Sequence, residues 1–276
     1  MEDVDLPVTV AAHNVESDIW RRLAEQDNGP AGRFYGLQAR RMARFERRVC
    51  ARDWAMTAVS EGDAERLREW GARRVEVVPN GVDLDHFRPA PLVPEEPGSL
   101  VITGSMDWRA NQDAVTWFLD EVVPELRRRC DFHFTVVGRN PPGWMVRRAS
   151  NRIKVTGTVD DVRPFLCRAQ VFVTPLRVGG GSRLKILEAL AMRRAVVSTR
   201  VGAEGLDLEP GRHLLIADSP LEFAECVVRL LGDGALRQRL GEAGRESVEE
   251  HYGWDRMADL QAACWHREIA KGARSR

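Results

Sequence analysis

The chain of 276 residues carries 41 Lys plus Arg against 41 Asp plus Glu, with 43% apolar and 30% charged residues. At one domain per roughly 150 residues this length predicts about two domains and excludes a mini-protein, and the composition excludes a disordered or collagen-like chain. The net charge of zero supplies no field to draw the chain onto nucleic acid.

Five cysteines, Cys50, Cys130, Cys167, Cys226 and Cys264, are scattered without a C-x-x-C pair. Neither a disulfide framework nor a zinc site is indicated, which fits a reducing cytoplasm. No stretch approaches the roughly 18 to 20 apolar residues needed to cross a bilayer. The start, MEDVDLPVTV, places Glu2, Asp3 and Asp5 where a signal peptide carries basic residues, so a soluble intracellular protein is expected.

The first ninety residues hold three strand candidates, at 7–12, 54–59 and 75–79, with helices between and after them. The segment at 32–52 interleaves Arg33, Arg40, Arg41, Arg44, Arg47, Arg48 and Arg52 with Phe34, Leu37, Phe45 and Val49 at helical spacings. It reads as a domain helix that packs its apolar stripe inward and solvates its arginines, with peripheral contact to an anionic membrane as the second reading. At 91–99, PLVPEEPGS has the composition of a linker and marks a boundary between residues 1–96 and 97–276. Asp83 and Asp85 imitate a D-x-D metal signature but sit in PNGVDLDHF, where Asn80-Gly81 indicates a turn.

Six strand candidates follow, at 99–104, 132–138, 153–158, 170–175, 195–199 and 213–217. Helices are predicted from after Asn111 to about Arg129, at 160–168 and 182–193, and twice within 220–250. This alternation predicts an α/β fold with a doubly wound parallel sheet and its ligand crevice at the carboxyl ends of the strands. At about 30 residues per βα repeat the first portion amounts to half a partner domain.

In TPLRVGGGSRLKILEALAM a buried strand runs through Gly179, Gly180 and Gly181 into an apolar-periodic helix, an arrangement suited to a phosphate. Arg183 and Lys185 on the first turn add positive charge, and Glu188 can accept hydrogen bonds from vicinal hydroxyls. A Gly-rich turn with a solvated first turn is the purely structural alternative. Histidines 86, 133, 213, 251 and 266 show no metal-binding pairing, and neither a G-x-S-x-G elbow nor a P-loop occurs.

The run GGGSRLKILEALAM with AVVSTRVGAEGL resembles the donor-binding signature of group 1, family four glycosyltransferases of the GT-B fold. VSEGDAERLREWGARRVEVVPNGVDLDHFRP, ITGSMDWRANQDAVTWF, HFTVVGRNPP, VTGTVDDVRPFLCRAQVFVTPL and the closing Tyr252 to Trp254 match in order, nearest to members of exopolysaccharide assembly. The resemblance implies two Rossmann-like domains, the amino-terminal one incomplete, with the last helix, about 254–271, crossing back to the first domain. It implies a cytoplasmic enzyme, peripheral at the inner membrane face in the second reading of 32–52. Such an enzyme moves a sugar from a nucleotide-diphosphate sugar to a glycan or lipid-linked acceptor of cell-surface polysaccharide, with retention and no obligatory metal or cofactor.

The donor is then expected at Gly104, Ser105, Gly179, Gly180, Gly181, Ser182, Arg183, Lys185 and Glu188, with Glu188 on the ribose and His13 as the active-site His. The sequence departs from the pattern at three positions. Gly180 stands for the first Glu of E-x7-E, Ser105 for an Arg on the diphosphate, and Asn111 for a Lys on the diphosphate. Each lost cation removes about 1.5 to 3 kcal/mol of charge-assisted bonding, so Arg183, Lys185 and, more weakly, Arg109 are expected to compensate. These departures keep two alternatives open, a truncated or inactive nucleotide-sugar binding module and a GT-B-like sugar-nucleotide epimerase.

Overall fold

Short runs of β-branched and small residues form parallel strands in two sheets, in a computed structural model that describes residues 7–27, 29–90, 92–179 and 183–274, the last three as backbone. Gly180, Gly181 and Ser182 of the expected donor site, and the acidic start, lie outside the described residues.

The first sheet has the order β1-β2-β3, from β1 (Thr9–Ala12), β2 (Ala55–Ala58) and β3 (Arg74–Val77). α1 (Glu16–Gln26) and α2 (Pro30–Cys50) link β1 to β2. α3 (Glu61–Glu69) links β2 to β3 and is capped by Ser60, whose Oγ accepts from Asp63 N at 3.1 Å. The core here is small: Cys50, Met56, Ala58, Ala64, Leu67 and Ala72.

α2 corrects one expectation. Its inward face is made by Gly32, Tyr35 and Cys50, with a Cβ at Gly36 falling only 3.9 Å from Ala24 Cβ of α1, so small residues set the helix contact. Phe34, Leu37 and Phe45 remain 52%, 52% and 54% exposed instead of packing inward.

The second sheet is built from β4 (Ser99–Thr103), α4 (Arg109–Trp117), α5 (Val123–Arg127), β5 (His133–Val137), α6 (Gly143–Val146), β6 (Ile153–Val155), α7 (Arg163–Arg168) and β7 (Val171–Thr174). α8 (Leu184–Ala191), β8 (Ala195–Ser198), α9 (Arg200–Ala203), β9 (Leu215–Ile216), α10 (Pro220–Gly232), α11 (Gly234–His251) and α12 (Trp254–Arg274) follow. The strand order β6-β5-β4-β7-β8-β9 reverses between β4 and β7, which opens a crevice at their carboxyl ends.

Both sheet faces are covered, so the strands read as continuous apolar runs. Leu100, Ile102, Phe134 and Val136 meet Phe118 and Phe223 on one face, whereas Val101, Val137 and Phe172 meet Ile186, Leu187 and Leu190 of α8 on the other. The helix predicted from Asn111 to Arg129 is interrupted by a π-helical turn at Phe118–Val122. Pro124 lacks an N–H and crowds the carbonyl four residues back, which accounts for the widened turn. β6 stops at Val155, short of the predicted 158, because Gly157 turns the chain with φ +74°.

The predicted linker is strapped to the second sheet's domain. Glu95 bridges Arg194 at 2.8 Å and Arg237 at 3.2 Å, and Glu96 N donates to Arg168 O at 2.8 Å. α12 returns to the first sheet, where Arg267 pairs with Glu76 and Glu268 with Arg74, both on β3. The Asp83 carboxylate accepts from the N–H groups of Asp85 and His86 at 3.1 and 2.8 Å, the turn geometry expected of it.

Candidate functional site

A cavity of about 460 Å³ opens where the crevice is expected, lined by the ends of β4 and β5 (Thr103, Gly104, Ser105, Val137, Gly138, Arg139), the loop after β6 (Thr158, Val159, Val162), Asn111 of α4, and Leu184, Lys185 and Glu188 of α8. Another cavity, of about 320 Å³, sits among the starts of β4, β5 and β6, the end of a doubly wound sheet that does not hold ligands.

Main chain forms the cavity floor. A Cβ on Gly138 would lie 1.6 Å from Gly104 O, and one on Gly104 would lie 2.8 Å from Asn111 Nδ2 and 3.0 Å from Lys185 Nζ. Only glycine permits this approach, and Gly104 has φ +150°.

Lys185 Nζ donates to Asn111 Oδ1 at 2.6 Å, and Asn111 Nδ2 donates to Ser105 O at 2.8 Å. Burial, with a smaller contribution from Arg183, pushes the Lys185 ammonium down to about 8, against the opposing pull of Glu188. Burial raises the Glu188 carboxyl above its ordinary value, opposed by Lys185. A poised cation and a carboxylate one helical turn apart therefore face the same space.

Three sequence-based assignments change. Arg183 is 5% exposed and does not line the cavity; its Nε and Nη2 donate to Val201 O at 3.2 and 2.9 Å, beneath Gly179. Burial lowers its pKa from the ordinary arginine value. A side chain at the N-cap can turn to either side of the helix start, and here it fills the space beside Gly179. Arg109 is likewise committed, with its guanidinium carbon 5.1 Å from the centre of the Tyr35 ring. Ser105 does line the cavity, but its hydroxyl is engaged by Arg139 Nε at 2.6 Å and Asp107 Oδ1 at 2.5 Å.

His13 lies exposed on the bend after β1 and is not among the cavity-lining residues; Glu16 opens α1 and accepts from Asn14 Nδ2 at 2.9 Å. The two sheets' domains are joined by the Arg109–Tyr35 contact, by α12 and by Arg22 of α1. Its Nη1 donates to Gly179 O at 2.6 Å, and both terminal nitrogens reach the Glu204 carboxylate. Arg139 and Arg22 were not singled out from sequence, since their partners lie 34 and 157 or more residues away.

A family model described as Glycosyl transferases group 1 matches residues 97–233, and one described as Glycosyltransferase Family 4 matches residues 4–86. The GDP-mannose-dependent alpha-(1-6)-phosphatidylinositol monomannoside mannosyltransferase of Mycobacterium tuberculosis is 28% identical over 214 residues, 68% of this chain and 54% of that protein. The phosphatidyl-myo-inositol mannosyltransferase of Mycolicibacterium smegmatis is 30% identical over 220 residues, 74% of this chain and 52% of that protein. The chain thus spans about half the length of these curated relatives.

Among solved structures, sucrose-phosphate synthase from Thermosynechococcus elongatus superposes with a TM-score of 0.75 at 18% identity, covering 95% of this chain and 68% of that one. Anabaena HepE in complex with UDP and glucose gives 0.69 at 15% identity, covering 94% and 71%. These likenesses are of fold, the two-domain GT-B arrangement.

Proposed function

Because the chain belongs to the group 1, family four glycosyltransferases of the GT-B fold, we propose that it transfers a sugar from a nucleotide-diphosphate sugar bound in the cavity at the ends of β4 and β5. One observation carries this reading. Lys185 and Glu188 face a glycine-floored cavity at the reversal of strand order, which supplies a cation for a diphosphate and an acceptor for ribose hydroxyls.

Departure of the nucleoside diphosphate concentrates negative charge on its phosphates while the sugar gains positive character. Lys185, protonated below about pH 8, stabilises that charge from the cavity wall, where partial burial strengthens its interaction. His13, at the carboxyl end of β1, faces the reaction from the other domain, and the anomeric configuration is retained; both roles rest on the family resemblance. No metal is assigned.

GDP-mannose, the donor named for the mycobacterial relative, is the first donor to try, with UDP-glucose beside it. The acceptor on this reading is a lipid-linked or glycan acceptor of cell-surface polysaccharide, met at the cytoplasmic face of the membrane. The exposed Phe34, Leu37 and Phe45 on arginine-rich α2 support peripheral contact with anionic lipid. Calorimetry with GDP-mannose and UDP-glucose tests the site. Glu188→Ala and Lys185→Ala weaken binding by about one to two orders of magnitude, and near-normal affinity in both variants rules the assignment out.

Gly180 in place of the family's first Glu favours a second reading, a module that binds the nucleotide sugar without transferring it. Donor hydrolysis or transfer by the purified chain excludes that reading.

A further inference from the structure

Arg139 follows Gly138 at the end of β5 and is one of the residues that line the cavity with Lys185 and Glu188. Its Nε donates to Ser105 Oγ at 2.6 Å, and that hydroxyl donates to Asp107 Oδ1 at 2.5 Å. The other Asp107 oxygen accepts from Asn140 Nδ2 at 3.0 Å, and Met106 N donates to Arg139 O at 2.8 Å. The loops after β4 and β5 are therefore stitched into one unit with the guanidinium at its rim.

Hydrogen bonds from Ser105 first and Asn140 second hold the Asp107 carboxyl below its usual range, so it is ionised at neutral pH. Both of its oxygens are satisfied within the junction of the loops. Neither Nη1 nor Nη2 of Arg139 bonds a described residue.

Arg183 and Arg109 have other work. Arg183 holds the Val201 carbonyl from a buried position, and Arg109 lies over the Tyr35 ring. Lys185, the one cation already assigned to the diphosphate, shares the cavity with Glu188, so it alone does not match the charge of a diphosphate. A diphosphate brings two to three negative charges and asks for a planar, two-pronged donor.

We propose that Arg139 binds the diphosphate of the nucleotide through Nη1 and Nη2, held for that task by Ser105, and so replaces the cation that is missing at position 105. The inference rests on the reading of this cavity as a nucleoside-diphosphate site. In physical terms, the side chain at position 105 no longer carries the charge; it orients a charge delivered by the neighbouring loop.

The test uses the full chain, with GDP and UDP as calorimetric probes and guanosine and uridine followed by ligand-observed NMR. Whichever diphosphate binds the wild type is expected to bind Arg139→Gln 10- to 100-fold more weakly, while the matching nucleoside binds both alike. Arg139→Lys falls between, because an ammonium cannot grip two oxygens in one plane, and Ser105→Ala loses about threefold as the guanidinium is freed to wander. Thermal melts of the variants matching wild type show that the fold is intact.

Wild-type diphosphate affinity in Arg139→Gln overturns the inference while leaving the cavity reading standing, provided Glu188→Gln and Lys185→Met still lose affinity. Equal loss of diphosphate and nucleoside overturns it as well, since a structural defect would then be responsible. Failure of the wild type to bind any nucleotide overturns the cavity reading and the inference together.

Discussion

Lys185 Nζ and Asn111 Oδ1 meet at 2.6 Å, at the position where the family resemblance places a lysine. The lysine of α8 is thus held by the side chain of Asn111 on α4, the residue that stands where the resemblance expects a lysine. The ammonium lies 3.0 Å from a Cβ built on Gly104.

Nucleotide affinity is expected to depend on the protonation of Lys185. With its pKa pushed down to about 8, the side chain is mostly charged at pH 7 and mostly neutral at pH 9. Calorimetric affinity for GDP or UDP should therefore fall as pH rises through about 8, shifted upward by the bound anion. Lys185→Met removes this dependence along with roughly 10- to 100-fold of affinity. Asn111→Asp places a carboxylate beside the ammonium, moves the midpoint to higher pH and weakens binding by about tenfold.

Stability of the free protein should run the other way. The Lys185 pKa is lower folded than its ordinary 10.5, so between about pH 8 and 10.5 the unfolded chain binds more protons and stability rises with pH. Below pH 8 the full cost of burying the charge is present, up to ~3 kcal/mol at ~1.4 kcal/mol per pH unit. Glu188 has the opposite sign: its raised pKa makes stability fall as pH climbs from 4.5 through the folded value. Urea titrations at pH 7 and 9.5 should show Lys185→Met more stable than wild type at pH 7, with the difference shrinking at pH 9.5.

Gly138→Ala is expected to cost ~3 kcal/mol or more. Its methyl group would sit 1.6 Å from Gly104 O, main chain against main chain, and the two loops cannot both keep their places. Chemical denaturation measures the loss. A change below about 0.5 kcal/mol, the range of ordinary surface substitutions, would show that this floor is not rigid.

Arg22→Ala tests the link between the domains. Arg22 and Glu204 are partly exposed, so the pair adds about 1 kcal/mol or less to global stability. Its removal also frees Gly179 O. Calorimetric unfolding should broaden or split into two transitions while the total enthalpy stays near wild type, and a single unchanged transition would assign the coupling to other contacts.

Strands were the most legible part of the chain. Val101, Phe172 and Val196 each belong to runs buried on both sheet faces, and such runs are β-branched or aromatic whatever the connections between them. Helix interiors were less so, because the crowding of Pro124 against the preceding turn is a matter of three-dimensional fit. At the cavity, Lys185 and Glu188 were singled out from local pattern, since a glycine turn and a helix face are short-range features, whereas Gly104 entered only through the family resemblance.

The directions of Arg183 and Arg109 were not readable. Both lie beside a helix start, where one rotamer meets the cavity and another meets Val201 O or the Tyr35 ring. Arg139 escaped notice for a related reason. Nothing in HFTVVGRNPP reveals that its guanidinium meets a hydroxyl 34 residues earlier, because that contact exists only once β4 and β5 lie side by side.

The return of α12 to the first sheet sets a clock on biosynthesis. Arg74 and Glu268 are 194 residues apart, so at 5 to 20 residues per second the strand leaves the ribosome about 10 to 40 s before the helix that pairs with it. During that interval β3 can pair with β2 but has neither ion pair with α12. The domain that is translated first is therefore completed last, and truncation within α12 should register in the solubility of the opening ninety residues before it registers in the second sheet.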